Sequence, residues 1–191
     1  MILSDFRDFD LKRLPDVRGS YKKHVVMAPY TWFRVGGAAA TVFRPQDHED
    51  LSQFLLQNSE EVPITIIGAA SNILIRDGGI PGVVIKLGKN FASINFKSNS
   101  VRIGAGLPNS IAARLALKEG CSGLEFLSGI PGTIGGGLRM NAGAYGKEVK
   151  DILIEAEVID NTGNIKVLSL EEMAMSYRHC GVPNDYIFLS G

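Results

Sequence analysis

Nine glycines fall between Gly120 and Gly146, a window of 27 residues in which average usage would place roughly two. Glycine inside a regular element costs roughly 0.5–1 kcal/mol relative to alanine. A chain that concentrates it in one place is holding a bare backbone open for something to approach. From Gly123 the stretch reads GLEFLSGIPGTIGGGLRMNAGAYG, with Pro131 and Asn141 as further turn formers. Any fold proposed for the chain must present this segment.

Clustered glycines let main-chain N–H groups converge on an anion, most often a phosphate. The two commonest phosphate motifs are both missing. A P-loop needs G-x-x-x-x-G-K-[ST], which the chain lacks. The dinucleotide fingerprint G-x-G-x-x-G fails twice, because Gly104-x-Gly106 is followed by Asn109 and Gly135-x-Gly137 by Met140. A Rossmann unit and a P-loop ATPase are therefore excluded together. A second cradle candidate, IIGAASNILIRDGG, offers Gly68, Ala69, Ala70, Ser71 and Asn72 directly after an apolar run. Small side chains there leave N–H groups uncovered, and the hydroxyl and amide add donors; the bland alternative is a plain strand-to-strand turn. In the long segment, IPGTIGGG is expected to start a helix at Pro131, whose first N–H groups and positive dipole end suit a second anionic or electron-rich group. Two such cradles point to a ligand with a diphosphate and a large ring system.

The remaining sequence restricts the setting. Twenty basic residues balance twenty acidic ones, and the longest basic cluster is Lys22-Lys23-His24. That excludes nucleic acid and an anionic membrane surface as partners. Two cysteines, Cys121 and Cys180, and the scattered His24, His48 and His179 form neither a disulfide framework nor a metal pattern. The charged N-terminus lacks a signal-peptide core, and no apolar run approaches the roughly 18 residues of a membrane span. A cytoplasmic location is expected.

Periodicity divides the chain into two small α+β lobes, 1–88 and 89–191, with residues 1–24 as a charged lead-in that is helical or partly mobile. In the first lobe, VVMAPYTWFRV and ATVFRP read as strands around Gly36-Gly37. DHEDLSQFLLQN reads as a helix capped by Asp47, with Leu51, Phe54 and Leu55 on one face. PITIIG and GVVIKL are buried strands. The second lobe begins with a hairpin, FASINF and SVRIGAG, turning at 97–100. It continues with a helix over LPNSIAARLALKEG, bounded by Pro108 and Gly120. Beyond the glycines come strands ILIEAEVID and NIKVLSL, joined at 161–164. A capping box, Ser169 with Glu172, is expected to start a helix LEEMAMSY. DYIFLSG reads as a strand still in progress at Gly191, which suggests truncation.

TWFRVGG at 31–37, GAASNILIRDGG at 68–79, the GIPGTIGGGLRMNAGAYG core and SYR at 176–178 together resemble the UDP-N-acetylenolpyruvoylglucosamine reductase family. The motifs lie in the family's order over most of the chain. Ala69 and Ala70 stand where the family often has glycine, and Gly137 where it often has alanine; the extra methyls are expected to leave slightly less room beside a diphosphate. The resemblance implies an α+β, PCMH-type (vanillyl-alcohol-oxidase-like) FAD-binding fold of two subdomains, without a Rossmann unit. It implies that Gly68, Ala69, Ala70, Ser71 and Asn72 meet the FAD diphosphate. Gly129, Pro131, Gly132, Thr133, Gly135, Gly136, Arg139, Asn141, Ala142, Gly143 and Tyr145 would line the rest of the cofactor. Arg178, with Tyr177 beside it, would bind the carboxylate of an enolpyruvyl UDP-sugar as NADPH-derived hydride is added through the flavin. Arginine suits that role because its planar fork binds carboxylate bidentately and keeps its charge. The family's proton-donor serine and assisting glutamate belong to a C-terminal substrate domain, so the chain is expected to bind FAD without turnover; FLSG around Ser190 does not match that motif. An FAD-linked sugar or alcohol oxidase of the same fold stays open as an alternative, with Cys121 as the one covalent attachment candidate in the 120–146 stretch. The full enzyme of the family is expected to be monomeric and to serve peptidoglycan synthesis.

Overall fold

The structure is a computed structural model and describes residues 14–58 and 62–191. The chain divides into two compact units between Leu87 and Gly88.

The first unit is a four-stranded sheet with a helix. Its elements are β1 (Ser20–Val26), β2 (Ala38–Arg44), α1 (His48–Gln57), β3 (Ile64–Ile67) and β4 (Ile80–Lys86). The strand order is β1-β2-β4-β3; β1 runs antiparallel to β2, and the other pairs are parallel. β2 and β4 are central, which is why Phe43, Val83, Val84 and Ile85 are fully buried. α1 forms as its pattern predicts: Leu51, Phe54 and Leu55 are buried, and the Asp47 carboxylate accepts from the Asp50 N–H at 2.9 Å. Asp50 is itself buried, and its oxygens accept from the N–H groups of Arg18, Gly19 and Gln46. This fastens the chain entering β1 to the helix.

Two expectations change here. Of the lead-in, residues 1–13 lie outside the described residues, while Ser20–His24 belong to strand β1 and not to a helix. Tyr21 explains the strand: its ring packs 5.1 Å from Phe43 and 6.4 Å from Phe54. The lysines mark it as an edge strand. VVMAPYTWFRV is a strand only at Val25-Val26, because Pro29 sits in a 3₁₀ turn, Ala28–Tyr30, where it cannot serve a ladder. Thr31 then closes the following bend, its hydroxyl lying 2.9 Å from the Val35 carbonyl and 3.2 Å from that of Ala28.

The second unit holds β5 (Ile94–Lys97), β6 (Ser100–Ile103), α2 (Asn109–Lys118), α3 (Ile134–Arg139), β7 (Gly143–Ala144), β8 (Lys147–Glu148), β9 (Glu155–Ile159), β10 (Ile165–Ser169) and β11 (Ile187–Ser190). β10, β9 and β11 form an antiparallel sheet in that order. Ile103 and Gly191 exchange backbone hydrogen bonds, and the Ala105 N–H donates to Leu189 O, so β11 also lies along the β5–β6 hairpin. Val158, Ile159, Ile187, Leu189 and Met173 fill the core behind it.

The expected helix LEEMAMSY is absent. Its capping box does form, since Glu172 Oε2 accepts from the Ser169 N–H at 2.7 Å. The chain makes one turn and stops, because Ala174 enters the left-handed region at φ +42°. The other helix expected from the glycine segment begins at Ile134 behind Thr133, three residues later than Pro131.

Candidate functional site

Each unit carries one of the two cradles. In the first unit, β3 delivers the chain at Gly68, and residues 68–79 return it to β4. Gly68, Ala69 and Asn72 are exposed, Ser71 is half-buried and Ala70 is buried. Ala70 sits at φ +53°, and it belongs to the apolar cluster of Met27, Ala39, Val42, Ile67, Ile75 and Val84. A methyl buried in the core takes no space on the exposed side of the loop. At Ala70 the departure from glycine therefore costs backbone strain, not the room the sequence led us to expect it to take. The Trp32 N–H donates to Ala70 O at 3.3 Å, tying TWFRVGG to the same loop. Beside it, Trp32 and Phe33 stay about two-thirds exposed, at 68% and 65%.

In the second unit the segment 132–135 runs alongside residues 105–109. The Asn109 N–H donates to Gly132 O, Ile134 N–H to Leu107 O and Gly135 N–H to Ala105 O. The amides of Ile134 and Gly135, which a helix start would offer to an anion, are thus already used. Sequence reading could not see this, because it depends on residues nearly 30 positions away. Gly135 lies where α3 meets this segment: a Cβ there would stand 2.9 Å from Ala105 Cβ. Gly136 differs: it is exposed, a Cβ there would find its nearest atom 3.9 Å away, and its φ is not positive. The fold itself does not require glycine at 136. At 137 the nearest atom, Asn109 Oδ1, would stand 3.6 Å away, an ordinary contact.

After α3 the chain turns at Asn141 and enters the β7–β8 hairpin. Tyr145 and Gly146 form its two-residue loop, both at positive φ (+55° and +77°), as a type I′ turn requires. The Tyr145 ring stands against the bare backbone of Gly129, its Cε2 2.6 Å from where a Cβ would be. Tyr145 is nonetheless 82% exposed, so one face of the ring is available. Pro131 and Thr133 lie in the extended run before α3, and Ala142 donates its N–H to Gly137 O.

Arg139 is placed differently from the other site candidates. It donates through Nη1 to Val182 O at 2.7 Å and through Nη2 to Tyr186 O, and lies 5.0 Å over the Phe188 ring. Burial lowers its pKa, offset in part by Cys180 and Asp185. Its guanidinium holds the segment that leads from SYR to β11.

SYR forms a tight turn. Ser176 and His179 exchange hydrogen bonds, N–H to carbonyl, at 3.1 and 3.0 Å, which leaves Tyr177 and Arg178 at the tip. Both side chains are exposed, with the guanidinium 6.0 Å over the Tyr177 ring. Arg178 has φ +51°, a conformation that an L-residue adopts at roughly 1–2 kcal/mol. Asn141 and Glu148 lie beneath this turn, and Glu148 was not anticipated from sequence. Its signal was the Tyr145-Gly146 turn, which fixes the Gly143–Glu148 pairing. The ammonium of Lys150 and the amide of Asn141 hold the Glu148 carboxyl below its usual pKa. Among the described residues no cluster of three or more His, Cys, Asp or Glu could hold a metal, and no helix is long and apolar enough to cross a membrane.

The model of the FAD-binding domain family matches residues 39–169, more than half of the chain. The chain belongs to that family. It is 50% identical to the UDP-N-acetylenolpyruvoylglucosamine reductase of Parvibaculum lavamentivorans over 94% of its length and 58% of the relative's. It is 51% identical to that of Rickettsia massiliae, over 92% of its length and 60% of the relative's. It therefore spans about three-fifths of such relatives. Among solved structures it is similar to UDP-N-acetylenolpyruvylglucosamine reductase from Thermus caldophilus, with TM-score 0.77 and 31% identity over 92% of this chain and 61% of that one. A VAO-type flavoprotein from Myceliophthora thermophila matches with TM-score 0.61 and 20% identity over 80% of this chain and 31% of that one. The fold is thus the α+β FAD-binding fold of VAO-type flavoproteins, as the sequence led us to expect.

Proposed function

We propose that this chain is the FAD-binding part of a UDP-N-acetylenolpyruvoylglucosamine reductase, acting in the cytoplasm in peptidoglycan synthesis and so in cell shape and division. Residues 1–88 and 89–191 are its two FAD-binding subdomains. The observation that carries the reading is Gly136: an exposed helical glycine that the fold does not need, inside a segment whose relatives bear the reductase name. The chain fits the cofactor, since Gly136 presents an uncovered Cα and Tyr145 a free ring face.

Gly68 to Asn72 hold the diphosphate of FAD through main-chain and amide donors. Gly129, Pro131, Gly132, Thr133, Gly136, Ala142, Gly143 and Tyr145 line its remainder, with Gly135, Arg139 and Asn141 shaping that wall. When bound, FAD supplies a two-electron carrier between NADPH and the enolpyruvyl double bond of a UDP-sugar. Hydride addition there builds negative charge next to the substrate carboxylate. Arg178 receives that carboxylate, and its permanent charge stabilises the developing enolate more than the ground state. Tyr177 flanks the same group. The proton for the neighbouring carbon is assigned to none of these 191 residues, so turnover needs groups supplied by the remainder of such an enzyme.

The test is optical. The chain titrated with FAD is expected to take up one flavin per molecule, giving a yellow protein whose flavin leaves on acid denaturation. Arg178→Ala is expected to leave FAD uptake intact and to weaken the band shift caused by the enolpyruvyl UDP-sugar. A folded chain that takes up no FAD sinks the proposal. Flavin that stays attached after acid denaturation favours a covalent oxidase instead.

A further inference from the structure

The Ser176–His179 turn is held from below by a side chain 35 residues earlier. Asn141 has 1% of its surface exposed and φ +40°. Its Nδ2 donates to Ser176 O at 2.9 Å and to Glu148 Oε2 at 2.9 Å, while its Oδ1 accepts from the Lys150 N–H at 2.9 Å. A side-chain amide has two N–H donors, and both are in use. Ser176 O meanwhile accepts a second bond, from the His179 N–H that closes the turn. Glu148 Oε2 is kept in place by Lys150 Nζ at 2.9 Å.

We infer that Asn141 is a positioning residue that fixes the Tyr177–Arg178 turn by gripping the Ser176 carbonyl, with Glu148 orienting its amide. This rests on the reading of Arg178 as the carboxylate-binding group. A two-residue turn on the surface, with arginine in the left-handed region, would relax to an easier conformation if it were free. Its carbonyl is anchored to a buried amide instead, so the backbone that carries Arg178 cannot rotate without breaking a bond in the interior. Arg139 secures the far limb through Val182 and Tyr186. The side chain of Asn141 thereby serves the substrate end of the site while its backbone turn serves the glycine segment.

The experiment is backbone amide hydrogen exchange and ¹⁵N relaxation on the 191-residue chain with FAD in excess. Asn141→Gly keeps a residue suited to φ +40° and deletes the grip. Of the three bonds it removes, loss of the one to Ser176 O is expected to speed exchange at Ser176 and His179 about fivefold to tenfold. Val158 and Phe188 in the central strands should stay within about twofold, and the order parameter of the Arg178 amide should fall from about 0.85 toward about 0.6. Asn141→Asp replaces Nδ2, the donor to Glu148 and Ser176, with an oxygen. Adding Glu148→Gln restores a donor to position 141 but not to Ser176. The double variant should therefore recover melting temperature while Ser176 and His179 still exchange fast. Uniform acceleration in all strands, or unchanged protection at Ser176 and His179 in a folded Asn141→Gly chain, overturns the inference. Arg178→Ala is expected to leave exchange at these two amides as in the native chain. If Arg178→Ala proves neutral toward the enolpyruvyl ligand, the functional reading fails and the exchange result still decides the clamp.

Discussion

Three adjacent glycines at 135, 136 and 137 separate what the fold demands from what a ligand demands. In a helix, Gly→Ala is worth roughly 0.5–1 kcal/mol of added stability when the methyl finds space. At 137 the methyl would meet Asn109 and Val149 at 3.6–3.9 Å, and at 136 only Thr133 Oγ1 at 3.9 Å. Both single alanine variants should therefore be more stable by about 0.5–1 kcal/mol, a rise of about 1–4 °C for a chain of this size. At 135 the methyl would stand 2.9 Å from Ala105 Cβ and 3.2 Å from Ala105 O, on a segment that is hydrogen-bonded to the same residue. Overpacking costs about 1–3 kcal/mol, so Gly135→Ala should come out lower by about 0.5–2 kcal/mol. Binding sorts them another way. A methyl at 136 projects into open space, where FAD is proposed to lie, so Gly136→Ala should weaken FAD by about tenfold or more while raising stability. Gly137→Ala should raise stability and leave FAD affinity within about twofold. Urea unfolding without cofactor and flavin titration measure the two quantities separately. If Gly136→Ala binds FAD as the native chain does, the argument that position 136 was kept bare for the cofactor is wrong.

Two further outcomes follow from the backbone and the charges. Arg178→Gly removes a side chain from the left-handed region and should raise the unfolding free energy slightly, by up to about 1 kcal/mol, while it abolishes the response to the enolpyruvyl ligand; a fall in stability would mean that the arginine holds the fold. Asp160 is buried, which pushes its carboxyl up, but bonds from Lys166, Thr162 and Asn164 outweigh this and leave its pKa well below the ordinary value. Its contribution is therefore complete above the unfolded value near 4 and is lost as pH falls toward the folded value. Urea midpoints between about pH 5 and about pH 2.5 should drop more steeply in the native chain than in Asp160→Asn, and parallel curves would contradict the assignment.

The legible part of this chain was the part whose signals are local. α1, its Asp47 cap and the strands β2 to β4 follow from period and composition, as do α2 and the β5–β6 hairpin. Two of the failures, at β1 and at the start of α3, come from a partner distant in sequence, and the others from a local turn. β1 is polar in sequence yet forms because Tyr21 finds Phe43 and Phe54. The capping box at Ser169 and Glu172 closes as expected, but Ala174 turns the chain away before a helix can grow. α3 starts at Ile134 because residues 132–135 are first drawn alongside 105–109. For the proposed site, the motifs marked the loops and said nothing of division of labour within them. Nothing in MNAGAYG announces that the asparagine side chain reaches Ser176, or that Arg139 faces the route back to β11.

Backbone strain gives an independent view of the same residues. Among the described residues, the non-glycine positions at positive φ are His24, Arg34, Ala70, Asn141, Tyr145, Ala174 and Arg178. Ala70, Asn141, Tyr145 and Arg178 were singled out from sequence, without reference to conformation. Such positions each cost about 1 kcal/mol or more and persist only where surroundings hold them. The holding groups are identifiable: the buried cluster around Ala70, the three bonds of Asn141, the I′ turn under Tyr145 and the doubly bonded Ser176 carbonyl below Arg178. A glycine at 70 or 178 would relax the backbone at once. At 70 the methyl returns part of the cost by filling the core, so the strain there has a structural cause. At 178 the side chain is exposed and returns nothing to the fold. The fold thus gives no return for the strain at 178, and the proposed contact of its guanidinium with a substrate carboxylate would supply one.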